Sequence, residues 1–497
     1  MNRQERRALQ NKRNKALAEL RARARAATDP LSHLRFGDEL ARLGQYRDAL
    51  QHYEKALEAF PENKALLNNL AYVLSYLGDR DKALDIYQRA RALAPDDPTL
   101  LKNMGILYRA VGRHEEAAEC LAASVKLDPQ NIDTHFNLAM ELRRLDREAE
   151  ADHHFQSCVA IYRTNVLRLS HDPVTMTTVG KGLLRLNNVT DALHVLEGAA
   201  KLNPNNAQTL AALAEAKELL QQKEVAFALY QKSLSIDPSN VFARQRVASL
   251  YAAMDKNEQA AREYRRILQY TPDNEEARYH LSALTQKNVP AVSPREYIKD
   301  LFDDYADRFD EHLLKALQYR GPQLIADTLA RLAPADAGKW TVADLGCGTG
   351  LCGPLFRDRA SHLIGVDLSP RMVHKARQRN VYDDLVVGDV VDFLHGYADT
   401  FDCIIAADVL VYIGDLAPIM TAAMAAAKAG GWFAFTTETA PEGEFHLAST
   451  GRYTHNPAYI RSQAEKSGFN VAHQEAIVLR YQGNKPVDST LTVLRKI

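Results

Sequence analysis

Two patterns of apolar and polar positions divide the chain. Between about residues 30 and 287, apolar residues recur with helical spacing, and the pattern itself repeats. From about residue 340 onwards, short apolar runs of strand length alternate with stretches that suit helices. The chain is therefore predicted to contain a basic N-terminal segment (1–29), a helical repeat region (30–287), a linker (288–294) and an α/β domain (295–497).

The helical region repeats with a period of 34 residues. Prolines recur at this interval, together with small residues twelve positions before them and aromatic residues or leucines four positions after the small ones. The small residues would let two helices cross closely, and the large ones would fill the groove between them. This pattern resembles the tetratricopeptide repeat (TPR), which implies a solenoid whose concave surface binds a protein or peptide. The alternative is that the repeats only dimerise the protein or act as a spacer.

Seven repeat units are predicted, with an interruption after the fourth. Arg163 stands where that unit should have proline, and about seven extra residues, Val166 to Asp172, predict a kink or a longer helix. Glu275 to Gln286 is predicted to form a capping helix, because an end unit must cover an open apolar face. The predicted units are 30–63, 64–97, 98–131, 132–165, 173–206, 207–240 and 241–274.

A glycine-rich turn follows the first strand of the α/β domain. The segment TVADLGCGTG contains Asp344 and, after it, Gly346, Gly348 and Gly350. Glycines permit positive φ angles and let the backbone approach a ligand closely. No lysine follows, which excludes a P-loop, and the third glycine comes one position too early for a dinucleotide fingerprint. The spacing Asp-x-Gly-x-Gly-x-Gly resembles motif I of class I S-adenosylmethionine-dependent methyltransferases, and a structural glycine turn in another α/β domain is the alternative.

Three further predicted strands end in the acidic residues Asp367, Asp389 and Asp408. Ligands of open α/β sheets bind at the carboxyl edge of the strands, where these side chains would meet. Asp367 could accept hydrogen bonds from both ribose hydroxyls of a nucleoside. The methyltransferase resemblance implies that Leu368 lies beside it, that Asp389 and Val390 face the adenine, and that Asp408 completes the cofactor site. For any one of these aspartates, a helix N-cap is the alternative.

An aromatic stripe precedes the first strand. Leu301, Tyr305, Phe309 and Leu313 are four residues apart, which predicts a helix that packs on the sheet. Aromatic faces attract cations, and S-adenosylmethionine is a sulfonium. Tyr305 and Phe309 are therefore predicted to contact the cofactor as well as the core.

The fold class predicted for the whole chain is a TPR α-solenoid followed by a Rossmann-like α/β domain. Seven strands are predicted in this domain, and the resemblance implies a mostly parallel sheet whose last strand is antiparallel. Leu301–Leu313, Asp408–Leu416 and Gly451–Tyr459 are similar to a bacterial family of TPR-containing methyltransferases. That resemblance covers nearly the whole chain after residue 30 and does not specify a substrate.

Candidate chemistry lies near the same sheet edge. Methyl transfer needs an aligned nucleophile and, for a neutral amine or hydroxyl, removal of a proton. Asp408, Tyr412 and His455 are the predicted catalytic residues, and a purely structural role is the alternative for each. Arg452 and Arg480 are predicted to hold an anionic substrate.

Composition narrows the choice of partner. The α/β domain has 21 Lys or Arg against 26 Asp or Glu, a net charge of −5, so nucleic acid is an unlikely substrate. Residues 1–27 carry a net charge of +7 and resemble neither a signal peptide nor a membrane span. Five cysteines without metal-ligand spacing predict no metal site, no disulfide framework and a reducing cytoplasmic compartment.

The predicted function is S-adenosylmethionine-dependent methyl transfer, with the repeats recruiting a protein or peptide-linked substrate. The alternative is an adaptor in which a TPR scaffold carries an inactive, nucleoside-binding domain.

Overall fold

The 34-residue period appears in the structure as consecutive pairs of packed helices. The computed structural model describes residues 22, 29–306, 309–311, 313–314, 317–333, 339–482 and 485–497, so the basic N-terminal segment lies almost entirely outside it. Met1–Pro204 and Asn205–Ile497 form two compact units. The helices of the first unit are Pro30–Arg42, Tyr46–Ala59, Lys64–Leu77, Arg80–Leu93, Pro98–Ala110, His114–Leu127, Ile132–Arg144, Glu148–Thr164, Val166–Leu169, Pro173–Arg185 and Val189–Leu202.

Small residues let the paired helices cross closely, as the sequence predicts. A Cβ added at Gly105 would stand 2.7 Å from Leu121 Cγ, and one at Gly180 would stand 2.5 Å from Leu196 Cγ. The alanines twelve positions before the prolines are completely buried, and so are the large residues that follow them. The repeat prediction is confirmed at the level of individual side chains.

Asparagine or aspartate caps the first helix of each repeat, a recurrent signal that the sequence prediction did not use. Each cap side chain accepts a hydrogen bond from a backbone N–H in the first turn, which satisfies one of the helix's unpaired donors. In the first unit of the structure these caps are Asp29, Asn63, Asp97, Asn131 and Asp172. The interruption after the fourth repeat is a longer helix of 17 residues, Glu148–Thr164, followed by the single turn Val166–Leu169.

The second unit contains the remaining repeats, the capping helix and the α/β domain. Its repeat helices are Ala207–Leu219, Lys223–Ile236, Val241–Ala253 and Asn257–Tyr270, and Glu275–Thr285 is the cap helix. The helices of the α/β domain are Arg295–Tyr305, Phe309–Glu311, Gly321–Leu332, Gly353–Phe356, Pro370–Gln378, Val390–His395, Ala417–Ala426 and Pro457–Lys466, with a 3₁₀ turn at Leu410–Tyr412.

The sheet is mostly parallel and, in the described part of the chain, has nine strands rather than the seven predicted. The strands are β1 Trp340–Leu345, β2 Ala360–Asp367, β3 Asp384–Val387, β4 Phe401–Ala406, β5 Ala427–Thr439, β6 Phe445–Leu447, β7 Tyr453–His455, β8 Phe469–Gln482 and β9 Lys485–Lys496. Their order is β3-β2-β1-β4-β5-β7-β6, and the long β9 pairs antiparallel with β5 and β8. The two additional strands, β6 and β7, have three residues each, too few for an alternating pattern to be visible in sequence.

The helix of the aromatic stripe is shorter than predicted. The helix predicted from Leu301 to Leu313 ends at Tyr305, and Phe309–Glu311 forms a separate short turn. Leu301 is 38% exposed, so the first member of the predicted stripe is not in the core. The sequence Gly483-Asn484-Lys485-Pro486 predicts a turn between the last two strands. Gly483 and Asn484 lie outside the described residues, whereas Lys485 and Pro486 begin the last strand.

The cap helix packs directly against the α/β domain. Tyr279 and Ala283 form a buried apolar cluster with Leu447 and Tyr453 from the β6–β7 hairpin. The Tyr279 hydroxyl donates to the backbone carbonyl of Gly451 (2.8 Å), next to the predicted substrate residue Arg452. The cap helix therefore supports the hairpin that carries Arg452. Among the described helices, none is both long and apolar enough to cross a bilayer.

Candidate active site

Most of the predicted site residues line a single cavity at the carboxyl edge of the parallel strands. The cavity lies over the glycine turn after β1 and the ends of β2 and β4, as expected for an open α/β sheet. Asp344, Gly350 and His455 are the predicted residues that do not line it. Those that do are Tyr305, Phe309, Gly346, Gly348, Asp367, Leu368, Asp389, Val390, Asp408, Tyr412, Arg452 and Arg480.

The three glycines of the turn all have positive φ angles, but they serve different purposes. A Cβ at Gly346 would stand 2.4 Å from a methyl group of Val409, and one at Gly350 would stand 3.0 Å from the ring of Tyr382. Those two positions need glycine for packing. A Cβ at Gly348 would instead point into the cavity, 3.5 Å from the ring of Phe309. Gly348 is therefore the glycine whose missing side chain leaves space for a ligand.

Asp367 is held at the end of β2 by the backbone around the turn. Its Oδ2 accepts from the Gly348 amide and its Oδ1 from the Ser369 amide, both at 2.9 Å. Burial raises the pKa of Asp367 to about 6 despite these two bonds. Each carboxylate oxygen keeps a lone pair that can accept a further hydrogen bond. The role of Asp367 as a ribose ligand stays a prediction.

An acidic residue that the sequence reasoning missed fixes the aromatic wall of the cavity. Asp310, next to Phe309, accepts from the Thr349 hydroxyl and from Arg379 Nη2. Arg379 also donates to the Thr349 carbonyl (2.6 Å), so the short Phe309–Glu311 turn is fastened over the glycine turn. The rings of Tyr305 and Phe309 meet edge to face, with centroids 5.3 Å apart. In the sequence, the carboxylates among the aromatic residues of the stripe were the signal that could have pointed to Asp310.

Asp389 caps the helix that follows β3. Its Oδ1 accepts from the amides of Val391 and Asp392 at 2.9 and 3.1 Å. Its Oδ2 lies 3.3 Å from Arg295 Nη2, which also pairs with Asp392 at 2.9 Å. Asp389 is therefore the N-cap of this helix, which is the alternative stated for it from the sequence. Its neighbour Val390 supplies an apolar surface to the cavity.

Four of the predicted catalytic and substrate residues form one buried ionic network with Glu438, and they are Asp408, Tyr412, Arg452 and Arg480. Arg452 donates through Nε to Glu438 (2.6 Å) and through Nη2 to Asp408 (2.5 Å). Its Nη1 donates to the Tyr412 hydroxyl (2.8 Å), and its guanidinium lies over the Tyr412 ring. Arg480 donates to both carboxylate oxygens of Asp408 (3.0 and 3.1 Å) and to Glu438. The two positive charges are thus balanced by two carboxylates, and neither arginine is an open anion site.

The protonation of this network follows from its charges. Burial alone would raise the pKa of Glu438, but Arg452 and Arg480 hold it below the ordinary value. Burial raises the pKa of Tyr412. Glu438 is therefore ionised and Tyr412 protonated at neutral pH, with Tyr412 accepting from Arg452 and keeping its own proton to donate.

Asp408 itself has an unusual backbone. Its φ is +63°, a left-handed conformation that is uncommon outside glycine and that occurs often at functional sites. Its amide donates to the Thr436 hydroxyl (2.9 Å) on the neighbouring strand. This arrangement turns the carboxylate towards the two arginines at the floor of the cavity.

His455 lies outside the cavity, which removes the geometric basis for its predicted catalytic role. It is completely buried, and its Nε2 lies 2.9 and 3.1 Å from the carbonyls of Ile413 and Gly414. Burial lowers the pKa of His455 to about 4, so the ring is neutral and donates from Nε2. His455 ties β7 to the segment after β4 and acts structurally.

Asp344 also lies behind the cavity rather than in it. Its side chain is buried, Oδ2 accepts from the Tyr382 hydroxyl (2.6 Å), and Oδ1 has no partner among the described residues. Burial raises the pKa of Asp344 to about 7. The group supports the glycine turn from beneath and does not face the ligand space.

Asp344 should make the domain less stable as the pH rises. Between about pH 4 and 7 the unfolded chain loses this proton and the folded chain keeps it, so the free energy of unfolding falls by about 4 kcal/mol across that interval. Asp344→Asn should lack this component. The measurement is urea unfolding of both proteins from pH 5 to 8, followed by the fluorescence of Trp340 and Trp432, which both lie in the sheet. The exposed Asp358→Asn is the control, and a difference that does not change with pH would contradict the assignment.

Comparison with known proteins agrees with this geometry. Residues 317–474 match a family model described as a methyltransferase domain. Residues 30–96, 64–130 and 180–241 match tetratricopeptide repeat models. The chain carries TPR repeats and a class I methyltransferase domain. Its α/β domain has the Rossmann-like fold predicted from the glycine turn and the strands around it.

The relatives of the methyltransferase domain differ in what their names say they methylate. The domain is 37% identical over 65 residues to the 18S rRNA (guanine-N(7))-methyltransferase of Bos taurus, covering 13% of this chain and 23% of that protein. It is 30% identical over 141 residues to the ubiquinone biosynthesis O-methyltransferase of Xanthomonas axonopodis pv. citri, covering 28% and 58%. The chain thus spans less than two thirds of either relative.

A solved structure also matches part of the chain, at low sequence identity. Magnesium protoporphyrin IX methyltransferase from Synechocystis PCC 6803, with bound S-adenosylhomocysteine, is 18% identical with a TM-score of 0.33. The match covers 41% of this chain and 100% of that one.

Proposed function

We propose that the protein is an S-adenosylmethionine-dependent methyltransferase whose TPR repeats recruit a protein or peptide-linked substrate. The observation that carries the enzymatic part is the pairing of Gly348 with Asp367. Gly348 leaves room beside the turn, and Asp367 presents a fixed carboxylate to the same space. These features suit a nucleoside whose ribose must be bound close to the backbone.

The cavity residues can be given roles towards the cofactor. Asp367 would accept from the ribose hydroxyls, Leu368 and Val390 would pack on the adenine, and Tyr305 and Phe309 would face the sulfonium. When bound, the cofactor supplies a methyl group on a positively charged sulfur.

The ionic network would position the acceptor rather than remove its proton. Arg452 and Arg480 hold the pKa of Glu438 below its ordinary value despite burial, which makes this carboxylate a weak base, and both arginines also donate to the Asp408 carboxylate. The Tyr412 hydroxyl, held by Arg452, can donate a hydrogen bond into the cavity. Such an arrangement favours acceptors that are nucleophilic without a protein base, and it gives Arg452 and Arg480 an indirect role in orientation.

Asp367→Ala should weaken cofactor binding by about 1–3 kcal/mol, because polar groups of the ligand lose their partner on burial. Isothermal titration calorimetry with S-adenosylmethionine and S-adenosylhomocysteine measures this directly on the full-length protein, and NADH should not bind. Asp392→Ala is the matched control, since Asp392 carries the same charge on the next helix but does not line the cavity. Equal affinity of Asp367→Ala and wild type would contradict the ribose assignment.

The recruiting role is supported by exposed aromatic side chains in the first repeats. Tyr72 and Tyr76 lie one turn apart on the helix Lys64–Leu77 and are 46% and 66% exposed. The ring of Tyr46 contacts both, with centroids 6.3 and 4.0 Å away. Exposed aromatic clusters are typical of protein interfaces. We propose that this tyrosine cluster contributes to substrate recruitment.

Tyr72→Ser/Tyr76→Ser should raise KM for the natural acceptor by about tenfold with little change in kcat, because the cluster contributes binding away from the reacting centre. The measurement is transfer of isotopically labelled methyl groups to the acceptor isolated from cell lysate. Leu167→Ser is the control, since Leu167 is 90% exposed but lies in the interruption after the fourth repeat. Cofactor binding without transfer to any acceptor would favour the adaptor alternative.

A further inference from the structure

A second cavity, a basic groove, lies between the cap helix and the segment that leads into the methyltransferase domain. Four cationic residues line it: Arg265, Arg278, Lys287 and Arg295. Glu275 is the one carboxylate among its lining residues. All four cations are exposed, so the groove presents positive charge to solvent although the methyltransferase domain as a whole is acidic.

The basic groove adjoins the cofactor cavity. Val292, Ser293 and Arg295 line both. The segment between them is fixed, because the Ser293 amide donates to the Tyr412 carbonyl (3.0 Å) and the Ser293 hydroxyl lies 2.7 Å from the Tyr279 hydroxyl. A chain lying in the groove would therefore lie against the segment that borders the part of the cavity lined by Tyr412 and Arg452.

Two of the cations are available to a ligand. Arg278 lies 3.6 Å from Asp273, and Arg295 pairs with Asp389 and Asp392. Arg265 and Lys287, by contrast, make no ion pair with the residues that the structure describes. Their charges would be compensated when an acidic partner binds.

We propose that the basic groove binds an acidic peptide segment of the substrate protein and directs its acceptor group into the cofactor cavity. This inference rests on the proposed methyltransferase function and adds the charge of the substrate to it. A peptide fits better than a nucleic acid, because the one aromatic residue lining the groove, Tyr279, is buried and cannot stack on a base.

The test uses fluorescein-labelled hexaglutamate as the probe and the full-length protein. Arg265→Glu/Lys287→Glu should weaken its binding by about tenfold or more in fluorescence anisotropy at low salt, because two attractions become repulsions. The matched control is Arg262→Glu/Lys223→Glu, which makes the same charge change at exposed positions outside the groove and should leave the affinity unchanged. Equal effects of the two double variants would overturn the proposal.

A photo-crosslinking hexaglutamate locates the site independently of affinity. Crosslinks should fall between residues 265 and 295, and crosslinks confined to the basic N-terminal segment would overturn the proposal. So would a single-stranded oligonucleotide that binds more tightly than the peptide and is lost in Arg265→Glu/Lys287→Glu. Calorimetry of the wild-type protein with S-adenosylhomocysteine separates the two claims. If the protein binds this ligand but not the peptide, the groove proposal alone is refuted. If it does not bind S-adenosylhomocysteine, the proposed enzymatic function is refuted.

Discussion

Gly348→Val should abolish cofactor binding, with an affinity loss of at least about 100-fold. The valine Cβ would stand 3.5 Å from the Phe309 ring, and its two methyl groups would occupy the space next to Asp367. Calorimetry with S-adenosylhomocysteine gives the affinity, and Gly348→Ala should show a smaller loss because it adds a single carbon.

Backbone strain is separated from loss of ligand space by a second glycine. Gly348 has a φ of +54° and Gly443 a φ of +74°, so a valine at either position costs on the order of 1–2 kcal/mol in the left-handed region. Gly443 is exposed, with no atom within 4 Å of its added Cβ. Gly443→Val should therefore lose some stability and bind cofactor normally. Normal binding by Gly348→Val would refute the placement of the cofactor at this turn.

Arg480→Met should destabilise the methyltransferase domain by about 3–5 kcal/mol, the usual cost of leaving buried charge uncompensated. Arg480 is 5% exposed, and its removal leaves Asp408 and Glu438 to share a single arginine. Urea unfolding followed by tryptophan fluorescence reports on this domain alone, because the two tryptophans of the chain are Trp340 and Trp432.

A double variant tests whether charge balance is the cause. Arg480→Met/Glu438→Gln leaves one arginine and one carboxylate, so it should recover part of the stability lost in Arg480→Met. If the double variant is no more stable than Arg480→Met, the loss comes from packing and the ionic explanation is wrong.

The repeats and the sheet could be predicted because their determinants are periodic or local. A 34-residue interval locates the equivalents of Ala49 and Tyr53 in the other repeats without knowledge of the fold. The acidic ends of the strands converge because parallel strands end at one edge, which brings Asp367 and Asp408 to the same cavity.

The partners of each site residue could not be predicted, because they join positions far apart in sequence. Glu438 and Arg480 are 42 residues apart, and Asp408 and Arg480 are 72 apart. Arg452 and Arg480 carry charges that suit an anionic substrate, and the sequence does not show that carboxylates already neutralise them. The same holds for His455, because a histidine in this segment suggests catalysis, and only the structure shows that the ring is completely buried outside the cavity.

The cysteines give this protein a practical property. All five, Cys120, Cys158, Cys347, Cys352 and Cys403, are buried and unpaired. Burial raises the pKa of the Cys347 and Cys352 thiols, which line the cofactor cavity, well above the ordinary value, so little reactive thiolate is present. The native thiols of the folded chain should therefore react very slowly with maleimides. A single cysteine introduced at an exposed position, such as Leu167, would then carry a dye or spin label at a known place without prior removal of the native thiols.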